Sequence, residues 1–138
     1  MKRLLFLTIV FGIFAFSCSR EEVDPKLPKM EIDFSWPIDQ KCFDTRSPEI
    51  SIKKVPKETR SLSIILCDLS NRYDHGGGSI NFQGKSIIPE GAVKGNYEGP
   101  CPPGWGTSPD YELTVKATDE KGNILGIGKK VKTYPSEK

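Results

Sequence analysis

The sequence predicts a mostly β fold, in which one domain forms a sandwich of antiparallel strands or a related pair of Greek-key sheets. Apolar and polar residues alternate with a period of two in several short segments, which is the pattern of strands with one buried face. The 13 glycines and 11 prolines separate these segments with turns. No segment shows a helical period, so we expect little helix.

The first 17 residues predict a signal peptide. Lys2 and Arg3 precede an apolar run over residues 4–16, which is shorter than the roughly 20 residues that a membrane-spanning helix needs. The Ala-Phe-Ser-Cys sequence of residues 15–18 offers small residues for cleavage and is similar to a bacterial lipobox. Both interpretations make Cys18 the first mature residue, and the lipobox predicts that Cys18 carries a diacylglycerol. An uncut membrane anchor is the alternative.

Residues 18–29 are polar, contain two prolines and predict a flexible tether, so the β domain is assigned to residues 30–138. Removal of Lys2 and Arg3 with the signal peptide leaves 18 of the 20 basic residues against 18 acidic ones. This balance argues against a nucleic-acid partner, which needs a basic surplus, and the mature sequence shows no polybasic patch for a membrane surface.

Strand patterns recur along the chain. Clean alternation covers residues 30–36, 49–53, 79–83 and 111–117, whereas residues 62–69 are apolar on both faces. A strand of the second kind is expected in the middle of the core, with Cys67 as a buried thiol. Residues 119–123 predict a hairpin turn with Gly122 at positive φ. The last strand, residues 124–134, is expected to contain a bend or a bulge at Gly126 and Gly128.

The cysteines predict one disulfide and no metal centre. Cys42 and Cys101 lie in turn-rich segments of a chain expected in an oxidising compartment, and we predict that they are bonded. Such a bond closes a loop of about 60 residues and stabilises the fold by about 4 kcal/mol in the chain-entropy model. His75 is the single histidine and no closely spaced cysteine pair is present, so neither a metal nor a cofactor is expected.

Two loops could hold a binding site. Residues 68–78 end in three glycines, whose N–H groups can form a nest for an anion, and His75 beside them can donate a hydrogen bond or become cationic. Residues 99–106 form a stiff proline-rich loop that leads to the inward-facing Tyr111. Each feature also has a simpler interpretation: Asp68 as a strand-end turn former, the glycines as a flexible hairpin, and the histidine as structural.

The chain resembles the phosphatidylethanolamine-binding protein family, including its small bacterial members. Seven features carry the resemblance in order: residues 47–50, residues 55–62, Asp68, residues 74–78, residues 88–92, residues 97–103 and Tyr111. The resemblance implies a β-sandwich with a small surface pocket for anions such as phosphate head groups. It implies that these residues bind the ligand: Asp68, His75, Gly76, Gly77, Gly99, Pro100 and Tyr111.

Two positions depart from the family pattern. Ser70 stands where the family has a second aspartate, and Pro109 stands where it has a second histidine. Binding is therefore expected to be weak, in the high micromolar range or worse. The sequence also ends near Lys138 without the C-terminal helix of many members.

The function expected from the sequence is that of a cell-envelope lipoprotein, anchored through Cys18, that binds a small anionic ligand without catalysis. The alternative is a structural or protein-interaction lipoprotein with a degenerate pocket, and a minor hydrolase is a third possibility. No GxSxG, HExxH or P-loop motif supports an enzyme. Ser19 after the lipidated cysteine favours the outer membrane, with the domain in the periplasm or at the surface.

Overall fold

The computed structural model describes Cys18 and residues 24–101 and 108–134. These residues form eight β-strands and no helix, in agreement with the predicted fold class. The strands are β1 (Glu31–Ser35), β2 (Glu49–Lys53), β3 (Ser61–Asp68), β4 (Tyr73–Asn81), β5 (Ile87–Ile88), β6 (Lys94–Gly95), β7 (Asp110–Thr118) and β8 (Ile124–Thr133). Among the described residues, no helix is long and apolar enough to cross a membrane.

The strands form two antiparallel sheets. The smaller sheet has the order β1-β2-β5 and the larger one has the order β6-β4-β3-β7-β8. The chain crosses from the small sheet to the large one after β2, returns for β5 and crosses again before β6. This non-consecutive order is the kind of connection that a Greek-key sandwich requires.

The core lies between the two sheets, where the inward positions of alternating strands meet. The prediction holds best for β1, β2 and β7, in which every second side chain is buried as its alternation indicates. The most deeply buried apolar side chains include Phe34, Ile50, Leu62, Ile64 and Val115. The burial of alternate side chains thus follows from the period-two pattern. Burial of each large apolar side chain contributes about 1.5–3 kcal/mol to the stability of the fold.

The prediction that β3 is buried on both faces is wrong. Leu62, Ile64 and Leu66 are fully buried, but Ile65 and Leu69 on the other face are each 36% exposed. β3 does occupy the centre of its sheet, between β4 and β7, so its backbone is paired on both sides. The outer face is apolar without being covered by a second layer of the described structure.

The glycine run is part of strand β4 and not a flexible loop. A Cβ atom on Gly77 would lie 1.9 Å from the Ile64 carbonyl oxygen, and one on Gly78 would lie 2.0 Å from that of Lys94. The backbones of β3 and β6 therefore approach β4 at distances that a side chain would prevent. Because of this close pairing, β4 begins at Tyr73. The alternation of residues 79–83 predicted only the end of the strand.

A β-bulge in β4 reverses the direction of His75. Ile65 pairs with Gly77 and Cys67 pairs with Asp74, so Leu66 alone on β3 opposes two residues of β4, which are His75 and Gly76. An extra residue exchanges the two faces of a strand beyond it. Without the bulge His75 would point outward; with it, His75 faces the core and is buried.

The first part of β8 is fixed by the hairpin turn before it and by backbone bonds to the N-terminal segment. Asp119 caps the β7–β8 hairpin by accepting the N–H groups of Lys121 and Asn123, and Gly122 has the positive φ of 84° that was predicted. A register shift next to Gly126 gives the predicted irregularity in the last strand. Along the free edge of β8, the Ile127 N–H donates to the Pro28 carbonyl and the Met30 N–H donates to the Ile127 carbonyl.

The cysteines form two pairs. Cys42 and Cys101 are bonded, with Cα atoms 4.4 Å apart, as predicted. Cys67, expected as a buried free thiol, is instead half-buried on the outer face of β3 and bonded to Cys18, with Cα atoms 6.2 Å apart. Both separations suit a disulfide. The prediction of a buried free thiol at Cys67 was wrong because the outer face of β3 is open, and Cys18 is bonded to Cys67 there.

Candidate functional site

Asp68, His75 and Tyr111 meet at one end of the sandwich. Asp68 is the last residue of β3 and pairs directly with Tyr111 of β7 on one side and with Tyr73 of β4 on the other. The bulge in β4 turns His75 toward the same region, with ring centroids of His75 and Tyr111 5.2 Å apart. The structure therefore brings these three predicted site residues together, all of them buried.

The contacts of Asp68 are those of a turn former. Its Oδ1 accepts the N–H groups of Ser70 (2.7 Å) and Asn71 (2.9 Å), and its Oδ2 accepts the Asn71 side-chain amide (2.8 Å). Ser70, at the position of the family's second aspartate, accepts the Asp110 N–H and so connects the turn to β7. The Asp68 carboxylate thus stabilises the β3–β4 turn and places a negative charge near the His75 ring.

His75 is held as a neutral imidazole. Its Nδ1 lies 3.1 Å from the Glu98 carbonyl oxygen, which can only accept, so Nδ1 carries the proton. Burial lowers the pKa of His75, and the Glu98 carbonyl and the Asp68 and Glu98 charges oppose this shift without reversing it. The ring therefore offers Nε2 as an acceptor near neutral pH, and not the cationic donor that the sequence suggested.

The Tyr111 hydroxyl is a buried donor. Burial, followed by the charge of Asp68, raises the pKa of Tyr111 to about 12, so the hydroxyl keeps its proton. The Cys101 backbone opposes this shift, although no hydrogen bond of normal geometry satisfies the hydroxyl within the described structure. An unsatisfied buried hydroxyl costs about 1–3 kcal/mol, which a water molecule or a ligand atom would recover.

The glycines do not form the expected anion nest. The Gly76 N–H donates to the Asp74 carboxylate (2.8 Å) and the Gly77 N–H donates to the Asn96 side chain (3.3 Å). Since both donors are used within the protein, they are not free for an anion. Gly76 and Gly77 serve the bulge and the close strand approach instead.

Gly99 and Pro100 are buried and fix the segment next to the site. The Gly99 N–H donates to the Asp44 carbonyl, and a Cβ atom at this position would lie 1.9 Å from Nε2 of Gln40. Pro100 is fully buried, and the adjacent Cys101 is bonded to Cys42. These two residues hold the segment that carries Glu98. The rest of the predicted proline-rich loop, residues 102–106, lies outside the described residues.

An open cleft of about 400 Å³ lies beside His75, and we call it the His75 cleft. His75 and Gly76 are the two predicted site residues that line it. The other lining residues were not predicted: Arg72, Tyr73, Asp74, Asn96 and Glu98. Asp74 and Glu98 stand inside segments that carry the family resemblance, and Arg72 and Tyr73 lie in the loop of residues 68–78, so these placements were the available signals.

The charges of the His75 cleft are mixed, with an acidic excess. Asp74 and Glu98 supply two carboxylates, and Glu98 also accepts a hydrogen bond from the Tyr73 hydroxyl (3.3 Å). Arg72 supplies one guanidinium and forms no ion pair within the described ranges. Arg72 has a φ of 55°, a conformation that is unusual for a residue other than glycine. In the parts of the chain that are described, no cluster of His, Cys, Asp and Glu could hold a metal ion.

A comparison with solved structures identifies the fold. The chain is similar to the crystal structure presented as that of a phosphatidylethanolamine-binding protein homologue from Chlamydia trachomatis, with a TM-score of 0.55 and 20% sequence identity. The alignment covers 79% of this chain and 99% of that one. No protein-family model and no curated protein matches the sequence. The architecture is therefore the fold of phosphatidylethanolamine-binding proteins, as the sequence resemblance implied.

Proposed function

We propose that this protein is a non-catalytic binding domain for a small zwitterion, in which a protonated amine and a phosphate-like anion occupy the His75 cleft together. The observation that carries the proposal is the presence of two carboxylates and one unpaired guanidinium around a single opening. A purely anionic ligand, which the sequence favoured, would face the negative excess of Asp74 and Glu98.

Each part of the cleft has a role in this proposal. Glu98 and Asp74 accept from the amine, and Arg72 donates to the anion, since charge-assisted hydrogen bonds are the strongest available at an exposed site. Nε2 of His75 accepts a further hydrogen bond from the ligand. Phosphoethanolamine has this chemistry, and the similarity in fold to a phosphatidylethanolamine-binding protein homologue supports the choice.

The surroundings of His75 favour binding over catalysis. Within the described structure its contacts are a backbone carbonyl and the rings of Phe43, Tyr73 and Tyr111. A hydrolase of the serine or cysteine type needs a nucleophile within hydrogen-bond reach of the base. No such pair is formed by His75 among the described residues.

We further propose that the domain acts in the cell envelope, exported by the signal sequence of residues 1–17. Lipidation of Cys18 stays a prediction. It requires that the Cys18–Cys67 disulfide is absent, because one sulfur atom cannot carry both a thioether and a disulfide. An anchored domain with an occupied cleft would retain its ligand in the cell envelope.

Titration calorimetry with phosphoethanolamine, inorganic phosphate and ethanolamine tests the ligand. We expect a dissociation constant in the high micromolar range for phosphoethanolamine and at least tenfold weaker binding of either half. Glu98→Gln and Arg72→Gln should each weaken phosphoethanolamine binding by about 10- to 100-fold, the value of one charge-assisted hydrogen bond.

The matched control is Glu120→Gln, which makes the same charge change in the exposed β7–β8 turn and should leave binding unchanged. Equal affinity for phosphate and phosphoethanolamine would contradict the role of the carboxylates. Absence of heat for all three compounds, unchanged in His75→Ala, would favour the alternative of an envelope interaction protein with a non-binding cleft.

A further inference from the structure

A cavity lined by lysines lies at the end of the sandwich opposite the His75 cleft. It has a volume of about 290 Å³, and Lys53, Lys54, Lys57 and Lys85 surround it. Lys53 and Lys54 come from the end of β2, Lys57 from the following turn and Lys85 from the turn before β5. The sequence showed no polybasic patch because these residues come from two separate segments that the fold places side by side.

The lysine charges are mostly unneutralised. Lys54 forms an ion pair with Glu31, whereas Lys53, Lys57 and Lys85 form no ion pair in the described parts of the chain. No acidic side chain lines the cavity. Glu58 follows Lys57 in sequence but lies outside the lining. The cavity is therefore a site of positive potential on a molecule whose mature charge is balanced.

An apolar groove of about 230 Å³ continues from this cavity. The two share Phe82 and Lys85, and the groove adds Ile80, Ile87 and Ala92. Ile87 is 44% exposed beside this basic cluster. Lysines next to exposed apolar side chains are the combination that binds the interface of an anionic membrane.

The end of the sandwich that carries the lysines also holds the start of β1. Glu31 at the start of β1 is the strand partner of Lys53, and a Cβ atom at Gly126 would lie 3.0 Å from both the Pro28 carbonyl oxygen and the Pro56 side chain. Cys18 lies elsewhere, against Cys67 near the opposite end of β3, so the lysine end is distinct from the position of Cys18 in the structure. β3 alone separates the two ends by about 26 Å.

We propose that the lysine cavity and the adjoining apolar groove form a docking face for the surface of a membrane that contains anionic lipids. The four lysines contact the head groups, while Ile87 and Phe82 lie at the interface with the acyl chains. In this orientation the His75 cleft points away from the bilayer and stays open to solution. The docking face acts whether or not Cys18 carries a lipid, and it is independent of the ligand of the His75 cleft.

Vesicle co-sedimentation tests the docking face. The chain is produced from residue 18 without its leader, so that no acyl chain contributes to binding. We expect it to bind vesicles of phosphatidylglycerol mixed with phosphatidylcholine and not vesicles of phosphatidylcholine alone. Each lysine is worth about a fivefold change in partitioning, so Lys57→Gln combined with Lys85→Gln should weaken binding by about 25-fold.

The control is the double variant Lys41→Gln with Lys94→Gln, which removes two exposed lysines outside both cavities and should bind as the parent does. Salt at about 1 M, which shortens the screening length to about 3 Å, should abolish binding. Equal binding to both vesicle types, or equal loss in the control, would overturn the proposal. Lysine-dependent binding of inorganic phosphate without vesicle binding would identify a site for free anions instead.

Discussion

His75 is a titratable side chain that the fold keeps in one protonation state. The Glu98 carbonyl and three neighbouring aromatic rings contact the imidazole, and the residue is buried. Burial is the main cause of its lowered pKa. At the scale of the residue, the important quantity is therefore the free energy of placing a proton on this ring in the folded protein.

We expect His75 to make the stability of the protein depend on pH. The unfolded chain binds a proton with a pKa near 6.5 and the folded protein binds it only at lower pH, so the unfolded state holds more protons in between. The stabilisation from neutral His75 is complete above that value and is lost as the pH falls toward the folded pKa. Urea unfolding between about pH 7.5 and 5.5 measures this loss.

His75→Asn is the matched variant, because the asparagine amide can replace Nδ1 as donor to the Glu98 carbonyl and does not titrate. Its stability should change less than that of the parent over the same range. Each unit by which the pKa is lowered corresponds to about 1.4 kcal/mol of difference. Parallel curves for parent and variant would show that the ring is as accessible to protons when folded as when unfolded.

The sequence predicted which residues meet at this end of the sandwich but not what each one contacts. Asp68, His75 and Tyr111 could be placed together because strand ends and the family resemblance agree. The acceptor role of Nε2 depends on the position of the Glu98 carbonyl, which comes from a distant segment. Arg72 and Asp74 line the cleft because the β3–β4 turn and the bulge in β4 place them there.

At the scale of the element, β4 decides the geometry of the cleft. Its bulge turns His75 inward and leaves Asp74 on the outer side, where it lines the cleft. Strands β1, β2 and β7 were predicted because their side chains alternate. β4 was only partly predicted because three consecutive glycines carry no side-chain pattern. The two-residue strands β5 and β6 were missed because two residues cannot show a period.

Gly77→Ala should be strongly destabilising. The new methyl group would lie 1.9 Å from the Ile64 carbonyl oxygen, and a backbone atom in the centre of a sheet cannot move aside without breaking the β3–β4 ladder. We expect a loss of more than about 3 kcal/mol in the free energy of unfolding, measured by urea denaturation.

Ser79→Ala in the same strand provides the comparison, since Ser79 is exposed and its loss should change stability by no more than about 0.5 kcal/mol. Similar stabilities of the two variants would mean that residues 76–78 are a loop with room for a side chain. In that case the N–H groups of the glycines would again be available to a ligand.

At the scale of the whole molecule, two disulfides join distant parts of the chain. The Cys42–Cys101 bond ties the segment before β2 to the segment that carries Glu98, and it was predictable because both cysteines lie in turn-rich sequence. The Cys18–Cys67 bond was not, because it joins residues 49 positions apart and no local sequence pattern links them.

The thiol reactivity of Cys67 should show whether Cys18 is lipidated or disulfide-bonded. If the exported protein is lipidated, its intact mass includes the acyl chains and Cys67 reacts with a thiol reagent without prior reduction. If the Cys18–Cys67 bond forms, the mass is that of the chain from residue 18 and no thiol reacts. Cys42→Ala combined with Cys101→Ala should cost about 4 kcal/mol in either state, so this pair serves as the internal standard.

The segment from Pro28 to Met30 has a consequence for solubility. It occupies the outer edge of β8 with two backbone hydrogen bonds, while the opposite edge of the same sheet is the two-residue strand β6. A long open edge is a template on which other chains can add strands. A protein cut just before Glu31 would lose the buried Met30 and both backbone hydrogen bonds to Ile127. The outer edge of the ten-residue strand β8 would then be open, and the molecules would tend to assemble edge to edge.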